Sequence, residues 1–249
     1  AMACFLVETG KCDAVIQIGP SSDDPCELSL YANEKREQII SCASSRYITG
    51  ITYDTILKII DFDKKYVVIG KPCDIEALIN YTKLDGELKK CIKYTMTFFC
   101  AGAPSKNATL KLAENLGVQA DQIDSVRYRG NGWPGKATVT LKDKSERHMD
   151  YIDSWNQVLG RNIRKMCKFC VNGVGTYADI SCGDLWNLNQ NQRPEFTEGK
   201  GQNIIFARSK AGSDLLIEAR DSGYIYIEDY TKMDDLKYIQ PNHFNMQTT

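Results

Sequence analysis

The stretch Tyr66-Val67-Val68-Ile69-Gly70-Lys71-Pro72-Cys73-Asp74-Ile75-Glu76-Ala77-Leu78-Ile79 decides the fold. Residues 66–70 form an unbroken apolar run, the pattern of a strand buried on both faces. Lys71-Pro72-Cys73-Asp74 interrupts it, and Ile75-Glu76-Ala77-Leu78-Ile79 reads as the next helix, with Asp74 as its expected N-cap. The same rhythm returns downstream. A strand at 92–99 ends at Cys100-Ala101-Gly102-Ala103-Pro104-Ser105, and a helix covers 105–116. Strand, loop, helix, repeated, is the βαβ pattern of a mainly parallel sheet.

Working outward, Asp13–Gly19 reads as a strand followed by a polar loop through Glu27. Residues 34–43 and 52–61 carry helical spacing in Ile39, Ile40, Ile56, Leu57, Ile59 and Ile60. After Gly117 the texture becomes β-rich. Val126–Arg129 and Ala137–Leu141 read as strands flanking Gly130-Asn131-Gly132-Trp133-Pro134-Gly135, a hairpin within a small antiparallel layer around 125–145. A helix is expected at 151–161, then a strand at 203–207, a helix at 211–221 and a strand at 224–228. The fold class is therefore α/β: a mainly parallel or mixed sheet flanked by helices, with a β-rich insertion, in a single domain spanning 1–249. Cys4–Gly10 reads as the last turn of a helix closed by glycine, so further sequence is expected upstream.

Composition narrows the function classes. The 249 residues can bury a full core, and 43% hydrophobic with 25% charged residues is ordinary for a globular protein. A net charge of −1 without a basic stripe argues against nucleic acid. No run approaches the roughly 20 apolar residues of a membrane span. Ten cysteines in a chain with this α/β rhythm point to metal ligation and buried thiols, not disulfides, and to a cytoplasmic setting. Cys12, Cys26, Cys42 and Cys91 have no partner spacing and read as small apolar fillers.

Cys73, Cys100, Cys167 and Cys170 are different. Cys167-Lys168-Phe169-Cys170 is the C-x-x-C of the chain, with Asn172-Gly173-Val174-Gly175 close behind. Cys73 and Cys100 each follow a buried strand. If those strands are parallel neighbours, both thiols emerge at one edge of the sheet, where α/β proteins bind ligands. Four thiolates there suit zinc or one 4Fe–4S cluster, and a redox dithiol of Cys167 and Cys170 alone is a third reading. Cys182 is the reserve ligand. His148 and His243 lack metal-ligand spacing, and neither a G-x-G-x-x-G after the first strand nor a P-loop occurs.

Two further stretches could hold a cofactor. The Gly130–Gly135 loop, with Arg127 and Arg129 before it, could stack on a flat ring and pair with phosphate or carboxylate. It reads equally as a hairpin turn whose glycines supply φ > 0. Thr176–Trp186 places Asp179, Ser181 and Asp184 near Gly183, or is an ordinary strand and turn with capping residues.

Taken together and in order, Gly70–Leu78, Phe99–Ser105, Tyr128–Gly135, Cys167–Cys170 and Ala178–Trp186 resemble the beta subunit family of coenzyme F-420 hydrogenases and dehydrogenases. The resemblance runs from about Leu6 to at least Trp186. It implies an FAD-containing iron–sulfur oxidoreductase subunit. Such a subunit passes electrons between a deazaflavin coenzyme, FAD and a 4Fe–4S cluster to a partner such as a hydrogenase, formate dehydrogenase or glutamate synthase component. Cluster ligation is carried onto Cys73, Cys100, Cys167 and Cys170. The flavin-contact candidates are Lys71, Arg129, Asn131, Gly132, Trp133, Pro134, Asp179, Ser181, Gly183 and Asp184. The hydride step needs no protein acid or base, and no catalytic side chain is assigned. Relatives often carry an N-terminal ferredoxin-like cysteine cluster and a Gly/Ser-rich segment before the first helix, which this sequence lacks. The competing readings are a non-catalytic electron-transfer or docking module and a zinc-stabilised α/β binding domain.

Overall fold

The computed structural model describes residues 1–49, 53–230, 232–241 and 243. Its centre is a six-stranded mixed sheet in the order β11 (Asn203–Ala207), β8 (Ile180–Asp184), β4 (Ile92–Phe98), β3 (Tyr66–Gly70), β1 (Ala14–Pro20), β2 (Leu28–Asn33), and β9 (Asn187–Leu188) pairs with β10 (Pro194–Glu195) in a separate ribbon. The strands β1 (Ala14–Pro20), β3 (Tyr66–Gly70), β4 (Ile92–Phe98) and β8 (Ile180–Asp184) run parallel, in register Ala14↔Tyr66, Val67↔Tyr94 and Met96↔Ile180. Both edges are antiparallel: β2 (Leu28–Asn33) pairs with β1, and β11 (Asn203–Ala207) pairs with β8.

The apolar residues on both faces of the central strands have a simple cause. Successive side chains point to opposite faces, and both faces are covered. Val15 and Val67 pack with Met96 and Ile180 against α1 (Met2–Glu8) and α8 (Lys210–Asp221), through Phe5, Leu6, Leu215 and Ala219. Ala14, Ile16, Tyr66 and Val68 face the other way, onto Ile75 and Leu78 of α4 (Pro72–Thr82) and Leu88 of α5 (Gly86–Cys91). Fully burying one such Leu or Ile contributes about 1.5–3 kcal/mol. Cys12, Cys26, Cys42 and Cys91 are free and buried, as apolar fillers are.

A second, three-stranded antiparallel sheet joins β5 (Ile123–Arg127), β6 (Lys136–Leu141) and β7 (Glu146–Asp150). With α6 (Lys106–Asn115) it buries Ala108, Leu112, Val126, Tyr128, Ala137 and Val139.

Several expectations are corrected. Helix α4 begins at Pro72 with Lys71 as N-cap, so Asp74 lies one turn in and accepts the Lys71 N–H at 3.1 Å. The expected helix over 151–161 is irregular: α7 (Tyr151–Asp153), a π turn (Ser154–Leu159) and a 3₁₀ turn (Gly160–Asn162). Residues 224–228 are not a strand. Their apolar members Tyr224, Ile225 and Ile227 pack against the α1–α8 core instead of entering a ladder. The helix expected at 52–61 is α3 (Tyr53–Ile59), and residue 52 lies outside the described residues. Helix α2 (Arg36–Ser41) falls inside 34–43.

Candidate metal centre

Cys73 is the second residue of α4, set there because Pro72 opens the helix. Cys100 lies just beyond the end of the neighbouring parallel strand β4, so the two thiols leave the sheet at the same edge. Cys167 and Cys170 come from a 3₁₀ turn (Lys165–Phe169) and the residue that ends it. That turn is fastened to the Cys100 loop by backbone bonds: Arg164 N–H to Ala103 O at 3.1 Å, Ser105 N–H to Asn162 O at 3.2 Å, and a Pro104↔Ile163 bridge. The Cys100 N–H reaches Gly173 O at 2.8 Å. Gly102 holds φ +122°, and a Cβ there would press on Ile163, so glycine lets the two loops meet.

All four cysteines line one concavity, together with Lys71, Pro72, Ala101, Gly102, Ala103 and Asn172. The Ala103 N–H donates to Cys167 Sγ at 3.4 Å. Burial pushes the Cys100 thiol up to about 11, opposed by a backbone N–H at Gly102. Burial also raises Cys73, and neighbouring Asp74 adds to this while Lys71 opposes it. Both shifts favour the protonated thiol over the thiolate. Among the described residues, no three or more His, Cys, Asp or Glu side chains stand close enough to hold one metal ion.

Cys182 is not part of this concavity. Like Ile180, two residues earlier on β8, it faces the α1–α8 core, and burial raises its thiol to about 11. The reserve-ligand reading is corrected on that geometry.

The second group of expected site residues forms a closed knot of its own. The Arg129 guanidinium, buried, donates to Asp184 Oδ2 at 2.6 Å and Oδ1 at 3.1 Å, and its Nε–H donates to Pro134 O at 2.9 Å. It lies 4.9 Å from the Trp186 ring and 5.0 Å from the Tyr151 ring. Trp133 stacks on Trp186 at 4.5 Å and donates to Asp184 Oδ1 at 3.3 Å. In this structure the Arg129 cation and the Trp133 ring meet Asp184 and Trp186. Asp179 ties three elements: its Oδ2 accepts the Thr95 N–H at 2.9 Å and Oγ–H at 3.0 Å, and its Oδ1 accepts Ser209 Oγ–H at 2.6 Å. Ser181 donates to Val174 O at 2.6 Å, and Gly183 sits under the Phe99 ring. Lys71 Nζ donates to Asp74 at 2.6 Å beside Cys73.

The glycine loop does hold an anion. The N–H groups of Trp133 and Gly135 converge on the two oxygens of Glu198, at 2.9 and 2.7 Å. Neighbouring amides aimed at one point form an anion nest. Asn131 at the tip is exposed with φ +56°, and Gly132 has φ +148°. Sequence reasoning missed the 43–48 loop beside it. Ser44 Oγ–H donates to Arg129 O at 2.7 Å, and Arg46 has a buried Nε without a hydrogen-bond partner. Nothing in local spacing links residues 85 positions apart, so no sequence signal points to that contact.

Two family models match the chain, both describing the coenzyme F420 hydrogenase/dehydrogenase beta subunit. The model of its N-terminal part matches residues 1–57, and the model of its C-terminal part matches residues 63–233. The F420-dependent formate dehydrogenase subunit beta of Methanocaldococcus jannaschii is 23% identical over 228 residues, covering 92% of this chain and 55% of that protein. The F420-dependent formate dehydrogenase 1 subunit beta of Methanococcus maripaludis is 22% identical over 225 residues, covering 90% and 54%. The chain thus spans about half the length of the curated relatives it matches. Among solved structures, a chain of the F420-reducing [NiFe] hydrogenase complex from Methanosarcina barkeri superposes with a TM-score of 0.68. That match is 19% identical and covers 99% of this chain and 81% of that one, which shows a shared fold. With both halves of the sequence matched, this chain belongs to the coenzyme F420 hydrogenase/dehydrogenase beta subunit family.

Proposed function

We propose that the chain is an electron-transferring subunit of a coenzyme F420-linked oxidoreductase, holding a 4Fe–4S cluster on Cys73, Cys100, Cys167 and Cys170 and working with FAD. The observation that carries the reading is the convergence of these four thiols on one concavity. One zinc ion on the same four thiolates is the competing occupant. A cluster spreads its ligands over four irons. The Ala103 N–H on Cys167 Sγ is the kind of bond that tunes cluster potential.

When bound, FAD exchanges hydride on one side and single electrons on the other, and the cluster carries the single electrons. The chain's own residues bind and orient. The N–H nest of Trp133 and Gly135, which holds the Glu198 carboxylate, fits a flavin phosphate, and Arg46 Nε on the adjoining loop is an available donor. Arg129, Trp133 and Asp184 serve by fixing that loop to β8. The hydride partner in this reading is the deazaflavin coenzyme that the relatives' names carry, and the electron partner is a hydrogenase or formate dehydrogenase subunit. A second reading, an electron-transfer module without flavin, is favoured by the mutual satisfaction of Arg129, Trp133 and Asp184.

Iron, sulfide, zinc and flavin content of anaerobically prepared protein separates these. About four iron and four sulfide per chain, as one cluster requires, with FAD bound, is the expected result. Cluster without flavin selects the second reading, and zinc without iron overturns both.

A further inference from the structure

A histidine without metal-ligand spacing in the sequence is carried by the fold to the Cys100 arm. Helix α9 (Leu236–Ile239) anchors the segment that bears it. Ile239 is buried, and the Gln240 Nε2–H donates to Asp184 O at 2.6 Å, at the end of β8. The chain then turns, with the His243 N–H donating to Gln240 O at 3.1 Å. His243 is only 8% exposed, and its ring lies 5.4 Å from the Phe99 ring. A Cβ on Gly173 would stand 2.8 Å from His243 Cδ2, 3.4 Å from Nε2 and 3.1 Å from Cys100 O. The imidazole and the Cys100 carbonyl thus crowd the same point, and a side chain at Gly173 would displace the ring. On this glycine also rests the 2.8 Å bond from the Cys100 N–H to Gly173 O.

The slot does not reward a polar ring. Both His243 ring nitrogens are buried and neither has a hydrogen-bond partner of good geometry. Leaving such atoms unsatisfied is destabilising, and an apolar group of the same shape removes the cost. Against the Phe99 ring, phenylalanine would serve packing better. Stability alone therefore gives no reason for histidine here, and a redox role is among the physical reasons for which such a group persists. Burial lowers the ring's pKa, opposed by the Cys100 carbonyl, so the imidazole is neutral and carries one N–H. That N–H is what a phenyl ring in this place would lack.

We propose that His243 is a positioning residue of the Cys100 arm, whose N–H dipole beside the Cys100 carbonyl raises the reduction potential of the centre that this cysteine holds. The proposal rests on the cluster reading above. His243 does not line the concavity, so it acts through Cys100 and is no ligand. Groups behind a metal's ligands orient them and tune the centre, and local hydrogen bonding and burial set a cluster's potential. One-electron reduction makes the centre more negative, which the positive end of a nearby N–H dipole favours. No bond to the protein forms or breaks in that step.

The test compares the full-length wild-type chain with His243→Phe and His243→Gln, each iron-loaded and after iron removal by a chelator. Iron and sulfide content, the EPR spectrum of the reduced protein and a redox titration read the centre. Thermal melting of the iron-free chain reads the fold. His243→Phe should melt no lower than wild type, because the unsatisfied nitrogens are gone. It should keep its iron and show a more negative midpoint potential. His243→Gln, which returns an N–H to the slot, should bring the potential back toward wild type. A residue that only fills space would not separate stability from potential in this way. A potential unmoved in His243→Phe, or moved equally in both variants, overturns the proposal. So does a His243→Phe chain that melts lower and loses iron, since the ring would then be packing alone. Wild-type protein without iron refutes the cluster reading and the proposal with it, whereas iron with an unmoved potential refutes the proposal only.

Discussion

Arg129→Met tests the claim that the cation of the glycine loop is a structural tie and not a free ligand for an anion. Arg129 is 9% exposed, and three of its five N–H donors are spent, two on Asp184 and one on Pro134 O. Removing it leaves Asp184 facing Trp133 and Trp186 without its counter-ion. Stripping one partner from a buried pair costs about 3–5 kcal/mol. The Asp184 side chain keeps 26% exposure, so water recovers part of this and the lower end applies, about 3 kcal/mol. Asp184→Leu should cost a similar amount. The double variant removes both charges and should lose far less than the sum, a coupling of about 2–3 kcal/mol. In melting temperature each single variant drops by about 6–12 °C, using the scale for chains of this size. Urea titration followed by tryptophan fluorescence is the assay, since Trp133 and Trp186 flank the pair. Additive single-site losses, or single losses under about 1 kcal/mol, would refute the reasoning. So would Arg129→Met protein that keeps its stability and loses FAD binding, because the guanidinium would then be a ligand.

Three other outcomes are expected. Glu198→Gln vacates the charge held by the Trp133 and Gly135 amides, so flavin quenching should report FAD binding tighter by about tenfold, the value of one charged hydrogen bond; unchanged affinity removes the nest from the flavin site. Gly175→Ala should lower stability by more than about 1 kcal/mol, because φ is +67° and the new methyl collides with Thr97; a neutral melting temperature would contradict it. Ser209→Ala should cost about 1 kcal/mol, since Ser209 Oγ accepts the Gly212 N–H at 3.0 Å as N-cap of α8. Losing its donation to Asp179 Oδ1 adds to that in chemical denaturation.

The legible part of the fold is the part with strong, short-range physics. The unbroken apolar run at 66–70 and the β-branched and aromatic run at 92–98 announce parallel strands, and the cysteines that follow them must share an edge once those strands pair. The antiparallel edge β2 carries no such signal, because an edge strand is only half-buried and its composition is mixed. The opposite error arises at 224–228, where alternating Tyr224, Tyr226 and Ile225, Ile227 mimic a strand. The apolar members are satisfied by helix packing, with the Tyr224 ring 5.3 Å from Phe5, and no neighbouring strand is needed. Residue type identifies Arg129, Trp133 and Asp184 as a chemically rich group. Only tertiary structure reveals that Asp184, 55 residues downstream, turns the group inward on itself.

That inward turn and the outward face of the cysteine turn follow from one constraint. Four cysteines can line one concavity only if the loops carrying them are fixed, and loops are fixed by spending their polar groups on each other. Here the Cys100 loop and the Cys167 turn are joined by Arg164 N–H to Ala103 O and Ser105 N–H to Asn162 O, while Arg129 and Asp184 pin the glycine loop to β8. Groups spent this way are unavailable to an outside partner. What stays exposed is Met166, Phe169 and the lysines beside them, while the Trp133 and Gly135 amides hold Glu198. The conspicuous Trp and Arg of the glycine loop are held in the frame by Asp184 and Trp186.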